Sequence, residues 1–319
     1  MRLLIIGVNG FLGRAIATRA AESNIEVFGL SRSREPAPKI PGTHLVGDRN
    51  SPETIGEIVE DNAVDVVVDV LAMTLRDTRA LVSELDGRIA QYVMLSSSDV
   101  YRNYELLHRN AHGTPILEGL TEDAPLRVTR YPYRTEPPRV PEDPERHLDE
   151  YDKIPIEEMI RGLGVHWTIL RLPMVYGPGD RQHRFRWVVQ HMLQTQKPLK
   201  IPRQWAEWVT THGYVENVAA GVALCVGSPR AIDTVFNIGE CIPVDKLTWA
   251  ERIAECLSWT GEIQICDDTN CDFAQSLEAL DLSVPFLIDS TRIRKELGYS
   301  EPVSIPDGLQ RTIADERGE

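Results

Sequence analysis

Three glycines, Gly7, Gly10 and Gly13, follow an apolar run that ends at Ile6 and lead into a helical repeat at Leu12, Ile16 and Ala20. This junction constrains the fold more than any other part of the chain. An apolar run, closely spaced glycines and then residues at a period of 3.6 read as strand, tight turn and helix. Glycines let the backbone turn sharply and approach a ligand, and a helix start points unpaired N–H groups at negative charge. The turn is either a tight structural turn or a cradle for a dinucleotide pyrophosphate, and its place after a strand and before a helix favours the cradle.

The alternation continues downstream. Strands are expected at residues 25–30, 44–46, 64–71, 92–95 and 166–170, with helices at 77–85 and 156–161. The run Val64-Asp-Val-Val-Val-Asp-Val-Leu71 is nearly continuous and β-branched, as expected of a parallel strand covered on both faces. The expected fold class is therefore α/β, a Rossmann-type doubly wound parallel sheet with a smaller C-terminal substrate-binding lobe. Residues 1–175 form the NAD(P)-binding domain in this reading. A proline- and arginine-rich excursion interrupts it at 101–149, a length that marks a functional or disordered loop. Residues 176–319 form mainly the substrate lobe, with some segments returning to the first domain.

Composition narrows the partners. The formal net charge of -14 over 319 residues opposes binding to nucleic acid or to an anionic membrane surface, which leaves a small molecule. No stretch reaches the roughly 18 apolar residues of a membrane helix, and the first strand is too short for a signal sequence. Five cysteines, an odd number without an export signal, suggest reduced thiols and a cytoplasmic location. Cys266 and Cys271 lie near Asp267, Asp268 and Asp272, and His108 and His112 are four apart. The first set has no CxxC pair and no nearby histidine, and the second has helical ligand spacing but flanks that are neither strand nor strong helix, so no metal is expected.

The end of the second strand reads the adenosine ribose in such folds, an acid favouring NAD and an arginine NADP. Here it reads Ser31-Arg32-Ser33-Arg34, with no carboxylate before Glu35, so NADP is expected over NAD unless these arginines are only solvated loop charges. Asp48, after the third strand, is placed to accept from the adenine amino group.

In order along the chain stand Gly7 to Gly13, Leu95-Ser-Ser-Ser-Asp-Val-Tyr101, Leu170-Arg-Leu-Pro-Met-Val-Tyr-Gly-Pro-Gly-Asp180, Tyr214-Val-Glu-Asn-Val-Ala219, Phe236-Asn-Ile-Gly239 and Leu297-Gly-Tyr299. In this order and spacing they resemble the extended short-chain dehydrogenase/reductase family, in its NAD-dependent epimerase/dehydratase group. The resemblance spans almost the whole chain. It implies that Ser97 hydrogen-bonds a substrate oxygen, with Ser98, Asp99 and Tyr101 nearby. It implies a tyrosine as general acid/base and a lysine four residues later that binds the nicotinamide ribose and lowers the phenol's pKa. The cofactor site implied is Gly7, Asn9, Gly10, Phe11, Leu12, Gly13, Ser31, Arg32, Asp48, Ala72, Lys153 and Pro173, the last stacking on the nicotinamide. A homodimer is implied as well.

The chain departs from that pattern, because no tyrosine has a lysine four residues on. Lys153, followed by Glu157, Trp167 and Arg171, is in register with the family lysine, and the tyrosine position then falls on Asp149. Tyr151 is displaced by two residues, which on a regular helix turns it roughly 160° away. If the helix instead begins near Pro155, residues 151 and 153 lie in an extended segment and point the same way. Otherwise Asp149, Tyr101 or Tyr133 supplies the proton, or the protein does not catalyse.

Arg181, His183, Arg184 and Arg186 could grip a substrate phosphate or open a solvated helix, and Arg127, Arg130, Arg134 and Arg139 invite the same reading. Trp205 and Trp208 form either a stacking wall or part of the small lobe's core. The expected function is an NAD(P)-dependent epimerase, dehydratase or reductase acting on a sugar or nucleotide sugar. The rival is a cofactor-binding sensor or scaffold without turnover.

Overall fold

The structure, a computed structural model, describes residues 1–34, 40–267, 271 and 279–318. Glu35, Asp268 and Asp272, considered above, lie outside them. Strands β1 (Arg2–Ile6), β2 (Glu26–Ser31), β3 (Thr43–Val46), β4 (Val66–Asp69), β5 (Gln91–Ser97) and β6 (Trp167–Leu172) join the strand Thr234–Asn237 in one seven-stranded sheet. Its order is Thr234–Asn237, β6, β5, β4, β1, β2, β3, and every pairing is parallel. The order reverses direction at β1 and β4, where such sheets open a ligand crevice at their carboxyl ends.

Alternate side chains explain why both faces must be covered. Leu3, Ile5, Val66, Val68, Val93 and Leu95 enter one core, while Leu4, Ile6, Val67, Tyr92 and Met94 enter the other. The first core continues through Phe236, Trp249 and Ile313, so the C-terminal half packs into the same apolar mass as the N-terminal half. Helix α1 (Phe11–Glu22) follows the glycine turn and packs on the helix Val215–Cys225. Helices α2 (Pro52–Asp61) and α3 (Leu75–Leu85) cover the other face, α3 starting at Thr74, whose hydroxyl accepts from the Asp77 N–H.

The excursion at 101–149 is ordered. It begins with helix α4 (Arg102–Leu107), ends in a short 3-10 turn at Arg146–Glu150, and buries Asn103, Glu105, Leu120, Arg127 and Asp149. Helix α5 (Lys153–Ile160) follows directly. One expectation is corrected. Cys266 and Cys271 are joined as a disulfide, their Cα atoms 6.4 Å apart and within bridging reach, while Cys225, Cys241 and Cys256 are free. Among the described residues no helix is long and apolar enough to cross a membrane.

Candidate active site

Gly7 leaves β1 with a φ of +91°, and its N–H and that of Val8 both donate to the Leu30 carbonyl. The turn closes as Gly10 N–H donates to the Gly7 carbonyl at 3.0 Å. A Cβ at Gly13 would collide with that carbonyl and sit 2.8 Å from the Val8 Cα, so this position tolerates no side chain. Gly10 caps α1 with no side-chain hydrogen bond, and the first helical turn, Phe11 and Leu12 included, presents its N–H groups and the positive end of its dipole. The cradle thus suits a pyrophosphate in shape and in charge.

The crevice continues along β2. Asn9 donates to the Ser31 hydroxyl at 3.0 Å, which also lies 2.8 Å from His44 Nε2. Arg32 is exposed beside it, and Asp48 is exposed with its carboxylate accepting from Asn50 N–H. Beneath this edge Arg49 is buried against Asp69, at the end of β4, and Asp69 also accepts from Tyr92 OH at 2.7 Å. Burial alone would raise the Asp69 carboxyl, but the Arg49 guanidinium beside it holds it below its ordinary value. Sequence reasoning missed this network. Its one signal was a carboxylate inside a buried β-branched run, which demands a cation.

At the carboxyl end of β5, Ser97 accepts from the Asp99 N–H at 3.2 Å, and Ser98 and Asp99 are buried. Tyr151 lies in extended backbone, bridged to Thr74, and Asp152 caps α5 by accepting from Ile154 N–H. The helix therefore begins at Lys153, and Tyr151 and Lys153 converge, the Lys153 ammonium 5.5 Å from the Tyr151 ring centroid. Tyr151 OH donates to Asp99 Oδ2 at 2.8 Å, Tyr133 OH donates to the same oxygen at 3.1 Å, and Ser97 lies beside Tyr151. Asp99 Oδ1 is buried with no partner among the described residues.

The electrostatics follow from burial. Burial pushes the Asp99 carboxyl up despite the Tyr151 hydrogen bond and the nearby Arg127. Burial and the Asp99 charge together push Tyr151 well above its ordinary value, so it rests as a phenol. Lys153, 4% exposed, donates to the Ala72 and Leu95 carbonyls at 2.6 and 3.0 Å. Burial lowers it to about 8, Asp99 and Asp69 acting in the opposite direction. The arrangement can hold a proton between a phenol and a carboxylate of raised pKa beside a cation, the elements of general acid–base chemistry.

Other residues singled out from the sequence fall elsewhere. Tyr101 is corrected from a substrate or proton-transfer role: it is fully buried, its hydroxyl donating to Asn237 at 2.6 Å and accepting from Arg171 at 3.1 Å. Arg171 in turn grips Glu157 through two bonds, so the pair that set the lysine's register is a core ion pair. Asp149 is also removed as a proton carrier, since Arg139 and Arg146 engage its carboxylate inside the excursion.

The excursion arginines meet the protein's own acceptors instead of a phosphate. Arg127 binds Asp152 and the Asp99 carbonyl, Arg130 meets Glu158, and Arg134 donates to the Asp149 carbonyl. His183 and Arg186 pair with Glu316, and Arg181 is exposed. Arg184 donates to the Val175 carbonyl at 2.7 Å, with Asp180 at 3.7 Å. Trp205 and Trp208 are buried. Pro173 is buried between β6 and the strand Met174–Tyr176, facing Gly213.

A parallel doubly wound sheet with a glycine cradle and a Ser, Tyr and Lys cluster at its carboxyl edge has the fold of the extended short-chain dehydrogenases/reductases. Residues 3–86 match the NAD dependent epimerase/dehydratase family. Among solved structures, UDP-glucose 4-epimerase of Thermotoga maritima, crystallised with UDP-glucose, is 16% identical, with a TM-score of 0.69 over 100% of this chain and 99% of that one. UDP-glucuronic acid 4-epimerase from Bacillus cereus, in complex with NAD, is 16% identical, with a TM-score of 0.70 over the same shares. A curated relative, the chloroplast stem-loop binding protein of 41 kDa b of Arabidopsis thaliana, is 24% identical over 97% of this chain and 77% of its own length.

Proposed function

We propose that this chain is an NAD(P)-dependent enzyme that moves a hydride at a hydroxyl-bearing carbon of a sugar or nucleotide sugar, as an epimerase, dehydratase or reductase. The convergence of Ser97, Tyr151, Lys153 and Asp99 at the edge of the glycine-lined crevice carries this reading. Gly7, Gly10 and Gly13, with the first turn of α1, hold the pyrophosphate. Ser31 and Arg32 face the adenosine ribose and favour its 2′-phosphate, hence NADP before NAD, and Asp48 takes the adenine. Ala72 and Lys153 border the nicotinamide ribose, and Pro173 stacks on the nicotinamide. The dinucleotide, when bound, supplies the hydride acceptor or donor.

The chain's own residues manage the proton. Ser97 orients the substrate hydroxyl. As that hydroxyl loses its proton to the Tyr151 oxygen, the Tyr151 proton passes to Asp99 Oδ2, and the reverse transfer protonates a carbonyl. Asp99 suits the task because burial brings its proton affinity closer to that of its partners. Lys153 stabilises the oxygen while it carries negative charge. Sugar nucleotides enter this proposal through the basic Arg181 and Arg184 and through the UDP-glucose named for the Thermotoga epimerase structure.

A second reading is a cofactor-binding sensor or scaffold. It is favoured by the tie between the Tyr151 hydroxyl and Asp99 and by the absence of any Tyr with Lys four residues on. The Arabidopsis relative is named for stem-loop binding, a partner that a net charge of -14 disfavours here. The purified protein, incubated with NAD or NADP and a panel of nucleotide sugars, separates the two. Growth of reduced-nicotinamide absorbance, or appearance of an epimer or dehydrated sugar, supports the enzyme. Tight cofactor binding with no product from any sugar overturns it in favour of the sensor.

A further inference from the structure

Beneath the crevice the buried pair of Arg49 and Asp69 lies against the turn that holds Tyr151 and Lys153. Residues 70–74 join β4 to α3 and carry both contacts: the Ala72 carbonyl accepts from the Lys153 ammonium at 2.6 Å, and Thr74 bridges the Tyr151 backbone. The turn takes its shape from Asp69. Its Oδ1 accepts from the Leu71 N–H at 2.8 Å, and the Leu71 carbonyl accepts from the Met73 N–H at 2.8 Å, so the main chain is tied on either side of Ala72. Asp69 is itself fixed, because Arg49 donates to both of its oxygens and Tyr92 OH donates to Oδ2 at 2.7 Å. Arg49 in turn is anchored to α3 through Thr78 Oγ1 at 3.0 Å.

Packing alone does not account for an ion pair at this place. Val66, Val67 and Val68 beside it are buried and apolar, and exchanging a buried pair for apolar side chains of similar volume is often neutral or stabilising. What apolar side chains lack is an acceptor for the Leu71 N–H and a charge to set against the surroundings of Lys153. Burial drives the Lys153 ammonium towards neutrality; Asp99, Asp69 and Glu157 hold its proton, Arg49 acts against them, and the Tyr151 ring faces it at 5.5 Å. Asp69 thus places the Ala72 carbonyl and also cancels, at Lys153, the charge of the arginine that holds it.

We infer that Asp69 is a positioning residue for Tyr151 and Lys153, shaping the turn at 70–74 that carries both and, with Arg49, presenting Lys153 with a neutral neighbour. This rests on the proposed function for the role of Lys153, whose placement and proton affinity are measurable without turnover.

Three variants of the full chain separate the two effects. Asp69→Asn keeps an acceptor for Leu71 but leaves Arg49 unbalanced. Arg49→Met with Asp69→Asn keeps the acceptor and balances the charge, and Arg49→Met with Asp69→Leu balances the charge but loses the acceptor. Lys153 is followed by trace labelling with fluorodinitrobenzene against pH, its peptide quantified by mass spectrometry, and dinucleotide binding by calorimetric titration with NADP and NAD. The labelling midpoint should fall by roughly one pH unit in D69N and return towards the parent in R49M/D69N, because an unbalanced like charge disfavours the ammonium. R49M/D69L should melt as high as R49M/D69N, label Lys153 faster, and bind dinucleotide roughly ten- to a hundredfold more weakly, the effect of losing one hydrogen bond to a charged group. An unmoved midpoint in D69N overturns the inference, as do equal labelling and equal affinity in the two double variants. Where the uncompensated Arg49 keeps D69N from folding, the double variants decide. If the parent binds neither dinucleotide, the cofactor reading falls, and the labelling of Lys153 alone decides the role of Asp69.

Discussion

Replacing Asp99 with Asn tests the proton path without disturbing its geometry. The amide oxygen can still accept from Tyr151 or Tyr133 at the 2.8 and 3.1 Å seen for the carboxylate, but it cannot take a proton. Positioned acid–base transfer contributes about 10² to 10⁴ in rate, whereas weakening one hydrogen bond to a charged group costs about 1.5–3 kcal/mol, or roughly ten- to a hundredfold. If Asp99 only orients the phenol, D99N falls in the lower range; if it receives the proton, D99N approaches Tyr151→Phe. The charge change also moves the pH profile. Lys153 titrates at about 8, and Asp99 raises it, so removing Asp99 lowers that value. The alkaline limb of kcat/KM, where Lys153 loses its proton, should shift to lower pH in D99N. The assay is kcat and kcat/KM against pH for both variants on the sugar that the parent turns over. D99N within threefold of the parent, with an unmoved alkaline limb, while Y151F is inactive, would remove Asp99 from the path. Full activity in both variants would refute the cluster as the acid–base centre.

Gly13→Ala places a methyl against the Gly7 carbonyl and should weaken dinucleotide binding at least tenfold with far-UV circular dichroism unchanged; calorimetric titration with NADP checks it. On the proposed contact of Arg32 with the 2′-phosphate, Arg32→Ala should lower NADP affinity by roughly ten- to a hundredfold and leave NAD affinity within twofold. Equal losses for both dinucleotides would show that Arg32 is not the discriminator. Arg127→Met strips the counter-charge from the fully buried Asp152, which caps α5. It should destabilise by about 3–5 kcal/mol, read from the urea midpoint, with activity falling in parallel as Tyr151 loses its setting.

Much of this was legible from local pattern. The β-branched runs and the glycine turn specify β1, β4 and their crossovers because strand period, helix period and turn chemistry agree at each step. Glu157 and Arg171, the residues used to place Lys153 in register, pair in the core, a reason for their spacing that the sequence did not reveal. The illegible parts are long-range polar pairs. Arg49 with Asp69 joins residues 20 apart, Arg127 with Asp152 spans 25, and Lys246 with His212 spans 34. No periodicity encodes such partners; only a carboxylate or ammonium in an otherwise apolar setting hints that one exists.

The displaced tyrosine shows how the excursion and the site depend on each other. On a continuous helix Tyr151 would face away from Lys153, yet Asp152 stops the helix by accepting the Ile154 N–H, and Arg127 and the Tyr131 N–H hold Asp152 in place. Both of those donors come from the excursion. The same segment contributes Tyr133, which shares Asp99 with Tyr151 and packs edge-on against its ring at 5.1 Å. In this chain the excursion supplies the groups that hold the helix cap at Asp152, and so the backbone that brings Tyr151 beside Lys153. Shortening the excursion while keeping Tyr151 should therefore return residues 149–153 to helix and separate the phenol from Lys153. A crystal structure of such a deletion variant that still showed the two side chains converging would break this link between insertion and site.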